Sequence, residues 1–248
     1  QRQMCIRDRE WTIYADGTVV CQSVLLPRGN PLELLRLGYE FQFPANLGNV
    51  AYYGRGPEEN YADRKSGMPL GVYKTTAKDS FFPYGRPQDC GNHEDTRWVA
   101  VTDDKGQGLL FGSLGTPFAF SAIPYTTTEL ILANHPVELP KTTDRTVLVL
   151  SAATRGLGGA SCGPGPMSRD IIKANKPYPM SFFIRPVTAK SYKGELRVPA
   201  AELDMTMLTR TDKYAVKSVT SQEQGEADAE FAIDGDPGTF WHLSLIHI

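Results

Sequence analysis

Along most of the chain apolar and polar residues alternate with a period of two, the pattern of strands with one buried face. Trp11–Val24 reads as a hairpin, because two alternating β-rich runs flank Asp16 and Gly17, a strong turn signal. Leu37–Phe43 alternates with Phe41 and Phe43 on one face, and Val50–Tyr53 follows as a short aromatic-rich run. Arg97–Thr102 leads into the turn Asp103–Gly106, and Gly108–Leu114 returns from it. Phe118–Ile123, Thr146–Ser151 and Pro179–Val187 complete the set, the last with Phe182 and Ile184 on one face. Thr128–Ala133 predicts a single helical turn, and no longer helical period occurs before Pro186. Strands joined by short turns predict an all-β, antiparallel two-sheet sandwich over residues 10–187.

Beyond Val187 the pattern changes. Residues 188–215 are mostly polar and read as a linker or partial module, with Ser191–Pro199 as one candidate strand. Residues 216–242 form a further segment in which Asp234, Gly235, Asp236, Thr239 and Trp241 are closely spaced. Neither end suits any element. Back-translated as ATG-TGT-ATA-AGA-GAC-AG and CTG-TCT-CTT-ATA-CAC-AT, Met4–Arg9 and Leu243–Ile248 are reverse complements of each other. They match the transposon end used to prepare sequencing libraries. Residues 1–9 and 243–248 are therefore expected to be translated adapter, outside any fold. On that expectation the chain is an internal piece of a longer protein, and its compartment, cytoplasmic or exported, is left open.

Composition narrows the function classes. The 248 residues carry a net charge of -2 with both signs evenly spread, so no basic stripe invites nucleic acid. No run approaches the ~18 apolar residues of a membrane helix, and no membrane partner is expected. Leaving Cys5 aside, Cys21, Cys90 and Cys162 are widely spaced and lack CxxC spacing. Neither a zinc site nor a disulfide framework is indicated.

Chemistry concentrates in Val50–Arg64. An apolar run stops at Gly54, Arg55, Gly56 and Pro57, where glycine permits unusual backbone angles and proline cannot extend a ladder. Glu58, Glu59, Asn60, Tyr61, Asp63 and Arg64 crowd in behind. The cluster predicts a hydrogen-bonded corner. A phosphate loop is excluded by the missing third glycine and the absent Lys-Ser/Thr pair. A second glycine-dense stretch, Arg155–Pro166, holds Gly156, Gly158, Gly159 and Gly163, with Pro164 and Pro166 at its exit. Such a loop turns sharply at a sheet rim or lets backbone approach a ligand.

Gly54–Arg64 resembles the signature of the C-terminal small-chain domain of bacterial β-galactosidases of glycoside hydrolase family 2. Three segments resemble further family motifs in the same order: Tyr84–Asn92 with Arg97 and Trp98, His135–Leu139, and Gly156–Pro164. The resemblance implies a large supersandwich of galactose-mutarotase-like architecture. It also implies that the acid/base and nucleophile glutamates lie in a preceding β/α barrel, so this stretch supplies no catalytic residue. The substrate-proximal loop would comprise Arg155, Gly156, Gly158, Gly159, Ser161 and Cys162. The family's best-known member carries a sugar-stacking Trp in this loop, whereas no aromatic stands in Gly159–Gly163 here. Implied partners are a β-galactoside or other carbohydrate and the missing barrel of the same chain. No cofactor is implied within this stretch; divalent and monovalent cations would be held by other domains. Residues 216–242 resemble the opening of a discoidin-like module, in which Asp236 and Thr239 could offer oxygen ligands but no complete metal site is expected.

Glycoside hydrolysis needs two carboxylates some 5–10 Å apart. Candidates by residue type are Glu58, Glu59, Asp63, Glu94, Asp95, Asp103 and Asp104. Asp103 and Asp104 read as a solvated turn, and Glu94 and Asp95, before Arg97, as charge pairs at a sheet rim. A Cys162–His nucleophile pair has little to recommend it, and His135 before Pro136 reads as an anchor of a strand connection. Two alternatives remain open. One is a stand-alone carbohydrate-binding or aldose-mutarotase-like sandwich using His93 with Glu94 or Asp95; the other is a purely structural assembly domain.

Overall fold

A computed structural model describes residues 6–29, 34–141, 143–159 and 162–188. The linker, the discoidin-like segment and the C-terminal adapter reading lie outside them. Among the described residues the strands form two antiparallel sheets. In chain order they are β1 Ile6–Ile13, β2 Val19–Leu26, β3 Arg36–Pro44, β4 Asn49–Arg55, β5 Leu70–Thr76, β6 Asn92–Thr96, β7 Trp98–Thr102, β8 Gly108–Ser113, β9 Phe118–Ile123, β10 Arg145–Thr154 and β11 Tyr178–Val187. The larger sheet has seven strands in the order β1-β2-β11-β8-β7-β4-β5, the smaller four in the order β3-β10-β9-β6. Apart from residues 14–16, the described residues belong to one of the two units into which the chain divides.

Alternation explains the core. Val50 and Tyr52 of β4, Val99 and Val101 of β7, and Phe111 and Phe182 of the neighbouring strands meet Phe118, Phe120, Leu148 and Leu150 of the smaller sheet. Aromatic rings interlock there at offset angles: Phe41 with Phe111 at 5.1 Å, Tyr52 with Phe120 at 5.0 Å, Tyr39 with Phe182 at 5.5 Å. A satellite cluster of Cys90, Ile123, Leu130, Ala133 and Leu139 with Phe81, Tyr84 and Tyr125 lies beside β9. It holds α1, Thr127–Leu132, whose N-cap Thr126 forms a capping box with Glu129. The expected helical turn is thus present, one residue earlier than its apolar spacing indicates.

Two strands depart from the expected set. β5 is the edge of the larger sheet, with Leu70 and Val72 exposed. β6 reads Asn-His-Glu-Asp-Thr, which has no apolar alternation, yet all but Asp95 are buried. β1 also differs, because its ladder with β2 runs back to Ile6 opposite Leu26. Pairing therefore enters the segment expected to stand outside the fold, since a ladder is made by backbone groups that any sequence provides.

Phe120, 1 % exposed, touches both sheets through Tyr52 and His93. Phe120→Ala is expected to lower stability by about 3–5 kcal/mol. In urea denaturation the midpoint should fall with little change in slope.

Candidate functional site

β4 ends at Arg55 and the chain turns through a cis Gly56–Pro57 bond. The corner beyond this turn is tied to β6 through Asn60. Asn60 is wholly buried; its amide NH2 donates to the carbonyls of Arg55 (3.1 Å) and Glu58 (3.0 Å), and its Oδ1 accepts from the Glu94 N–H (2.8 Å). The Asn60 N–H donates to the Asn92 carbonyl at 2.7 Å, and Asn92 Nδ2 donates back to the Asn60 carbonyl at 2.7 Å. Buried amides need such partners, so the corner and the polar strand make each other possible.

Of the carboxylates around this corner Glu58 is exposed, while Glu59, Asp63, Glu94 and Asp95 are engaged. Glu59 accepts from the hydroxyls of Tyr61 (3.1 Å) and Tyr84 and from the Gly91 N–H (2.7 Å). Asp95 receives Arg55 and Lys65. Burial pushes Asp95 up, but the hydrogen bonds and charges of those two cations hold it below the ordinary carboxylate range. The expected rim pairing holds for Asp95 and fails for Glu94. Glu94 is 8 % exposed and accepts from Asn92 and Thr154, and burial raises its pKa. A neighbour in sequence points the other way on a strand.

That other way is taken by His93, 5 % exposed and stacked on Phe120. Its Nδ1 lies 3.0 Å from the Arg55 carbonyl and 3.1 Å from the Tyr52 hydroxyl. A carbonyl only accepts, so Nδ1 carries the proton and the ring is neutral, with burial pushing its pKa down to about 4. His93 and Glu94 share no partner and face no common cleft. The His93–Glu94 pair that an epimerising sandwich would use is therefore not assembled, and Asp95, the other carboxylate considered for it, is held by Arg55 and Lys65. His135, exposed, pairs with Glu138 at 3.0 Å in the 3-10 turn Pro136–Glu138. Asp103 turns the hairpin between β7 and β8 by accepting from the Lys105 and Gln107 N–H groups.

The glycine-dense loop leaves the end of β10 and docks on the corner. Asp63 accepts from the Leu157 N–H (3.0 Å) and the Gly158 N–H (2.7 Å), while Arg64 donates to the Gly158 carbonyl. Burial pushes Asp63 up, but the two amides and the Arg64 charge hold its pKa below the usual range. Glycine is required at two positions. A Cβ on Gly156 would stand 2.7 Å from Asp63 Cγ, and Gly158 has φ +62° with a Cβ position 2.5 Å from the Gly165 backbone. The Gly159 N–H closes the loop on the Pro164 carbonyl at 2.7 Å. Cys162 is exposed, and Ser161 lies outside the described residues.

Between corner and loop lies a cavity of about 150 Å³, lined by Tyr61, Asp89, Asn92, Thr154, Arg155 and Gly156 among others. Asp89 is paired with Arg36 at 2.8 Å; burial raises its pKa and the guanidinium pulls it back in part. Thus Gly54, Gly56, Pro57, Glu59, Asn60, Tyr61, Asp63 and Arg64 do form one corner, and Arg155, Gly156, Gly158 and Gly159 meet it. Arg36 and Thr154 escaped the sequence reading. Arg36 is the first residue of β3 and Thr154 the last of β10, paired with each other, and no local motif marks either.

Residues 3–184 match the family model described as beta galactosidase small chain. The chain is similar to a "Beta-galactosidase" of Priestia megaterium, 35% identical over 178 residues, covering 71% of this chain and 17% of that protein. "Beta-galactosidase BgaC" of Bifidobacterium adolescentis is 43% identical over 143 residues, 56% of this chain and 13% of that protein. A "Beta-galactosidase small subunit" of Latilactobacillus sakei is 38% identical over 159 residues, 60% of this chain and 49% of that protein. The chain thus spans less than half the length of each of these relatives.

The geometry generates two expected outcomes. Asn60→Ala strands the Glu94 N–H and two carbonyls, and a loss of roughly 2 kcal/mol or more is expected, with faster hydrogen exchange at the Glu94 amide. His93 should govern part of the acid response. Above pH ~6.5 His93 is neutral folded or unfolded; as pH falls from there to about 4 the unfolded chain takes up a proton that the fold refuses, costing up to about 3 kcal/mol. Glu94, with its raised pKa, works in the opposite sense, so the readout is the difference between proteins. His93→Gln should flatten the fall in stability across that window, measured by urea unfolding at several pH values.

Proposed function

The chain belongs to the β-galactosidase small-chain family, and from that premise we propose that it is the non-catalytic sandwich domain of a larger β-galactosidase. The parent would hydrolyse terminal β-galactosides with retention through a covalent glycosyl intermediate. Its acid/base and nucleophile glutamates would belong to a barrel outside this chain. The observation that carries the reading is the clasp between Asp63 and Arg64 and the loop at Leu157 and Gly158. Two family motifs 94 positions apart are joined there, next to the cavity. Arg155, Gly156, Gly158, Gly159, Ser161 and Cys162 would then face the barrel's sugar pocket and shape one side of it. Without an aromatic, the loop positions sugar by backbone and polar contact. Divalent and monovalent cations are assigned to other domains of the parent, and residues 216–242, outside the described residues, to the opening of a discoidin-like module.

The carboxylates of this chain support a structural role. Both oxygens of Glu59 and of Asp63 already accept from hydroxyls or amides, which makes each a poorer general base. The chain alone should not cleave a chromogenic β-galactoside. Turnover that disappears in Glu59→Gln would overturn this assignment.

Replacing Gly158 and Gly159 by Val in the full-length enzyme should lower kcat/KM for galactosides by on the order of 10–100-fold, since small misplacement of a pocket wall is costly. Thermal unfolding should still show one cooperative transition. Unchanged kinetics for several galactosides would reduce the loop to a turn.

A further inference from the structure

The cavity between corner and loop carries an unbalanced charge. Of its acidic and basic lining residues, Asp89 is neutralised by Arg36 at 2.8 Å. Arg36 directs its remaining described contacts to Ser121 and Thr127. Arg155 is different. Its backbone N–H donates to the Leu35 carbonyl at 2.8 Å, but among the described residues its guanidinium has no hydrogen-bonding or ionic partner. The residue is half-buried. A guanidinium without a counter-ion is free to take one up, and its planar fork matches an oxyanion.

Nearby acids are already committed. Asp63 holds the loop amides, Glu59 takes Tyr61, Tyr84 and Gly91, and Asp170 pairs with Arg169. The neutral side-chain donors of the lining already have partners, Gln88 donating to the Arg86 carbonyl at 3.3 Å. Asn92 donates to the Asn60 carbonyl and to Glu94, Thr154 to Glu94, and Tyr61 to Glu59. Arg155 is thus the uncommitted charged donor of the cavity among the described residues. About 150 Å³ is half or less of the ~300 Å³ at which drug-sized pockets begin, so the space suits one sugar ring or its substituent, not an oligosaccharide.

We propose that this cavity receives an anionic substituent of a carbohydrate, a carboxylate or a sulfate, with Arg155 as the recognising group. The carbohydrate rests on the β-galactosidase reading; the preference for an anion rests on the cavity alone. The described lining comes from this chain, so the site can be tested on it.

The test titrates the 248-residue chain with galacturonate, galactose 6-sulfate and galactose, followed by ligand-observed NMR. At least one of the two acids should bind about tenfold more tightly than galactose and weaken with added salt, as charge-assisted bonds do. Which acid binds separates carboxylate from sulfate. Arg155→Gln should lose about tenfold in affinity for the acid, and Arg155→Lys, which keeps the charge but not the fork, should retain only part of it, with melting transitions alike in all three proteins. Equal affinity for galactose and both acids, no binding of either acid, or an Arg155→Gln variant of unchanged affinity would overturn the proposal. The loop-glycine kinetics use neutral galactosides and so report separately on the parent reading. Failure of acid binding with impaired Gly158 and Gly159 variants would remove the anion preference alone.

Discussion

Asn60 is the point on which the rest of this architecture depends. A fully buried amide must find partners or destabilise the fold, and here it finds them on two elements at once: the end of β4 and the start of β6. That requirement fixes the path of the chain after the Gly56–Pro57 turn. It also helps make a strand of Asn, His, Glu, Asp and Thr tolerable inside a sandwich, because Asn92 and the Glu94 N–H bond to the corner, while His93 and the Glu94 carboxyl find partners on β4 and β10. Removing the amide would expose unmet groups on both sides, which no single apolar substitution could mend.

From that corner the site is built outward in steps. Glu59, which also accepts from Tyr61, binds the segment around Tyr84 and Gly91; Asp63 and Arg64 bind the loop after β10. The acids do structural work, and their electrostatics show it. Asp63 and Asp95 have pKa values held low by donors, while Glu94 and Asp89 are pushed up by burial. Catalysis by a carboxyl pair needs one acid and one base with free lone pairs facing a common substrate. These carboxyls face separate partners instead.

The sandwich itself was legible from alternation. Val50 and Tyr52, Val99 and Val101, Phe118 and Phe120 stand two apart, and each pair is buried between the sheets. Glycine and proline marked the corner and the loop, because positive φ and close approach leave few other residues possible. Those signals are local, so the sequence determined the strand pattern, the turn at Gly56–Pro57 and the presence of a sharply bent loop at Gly156–Pro166.

Only the tertiary structure decided which of those pieces touch. β6 has no period to read, since its side chains are buried by partners and not by their own apolarity. The bonds of Arg36 with Asp89 span 53 positions, those of Thr154 with Glu94 span 60, and those of Asp63 with the loop 94 and 95. A polar group's environment, charged pair, satisfied amide or open cavity wall, depends on where a remote segment comes to rest. Apolar burial repeats along the chain and can be read from it; polar satisfaction is pairwise and directional, and is settled only when both partners are in place.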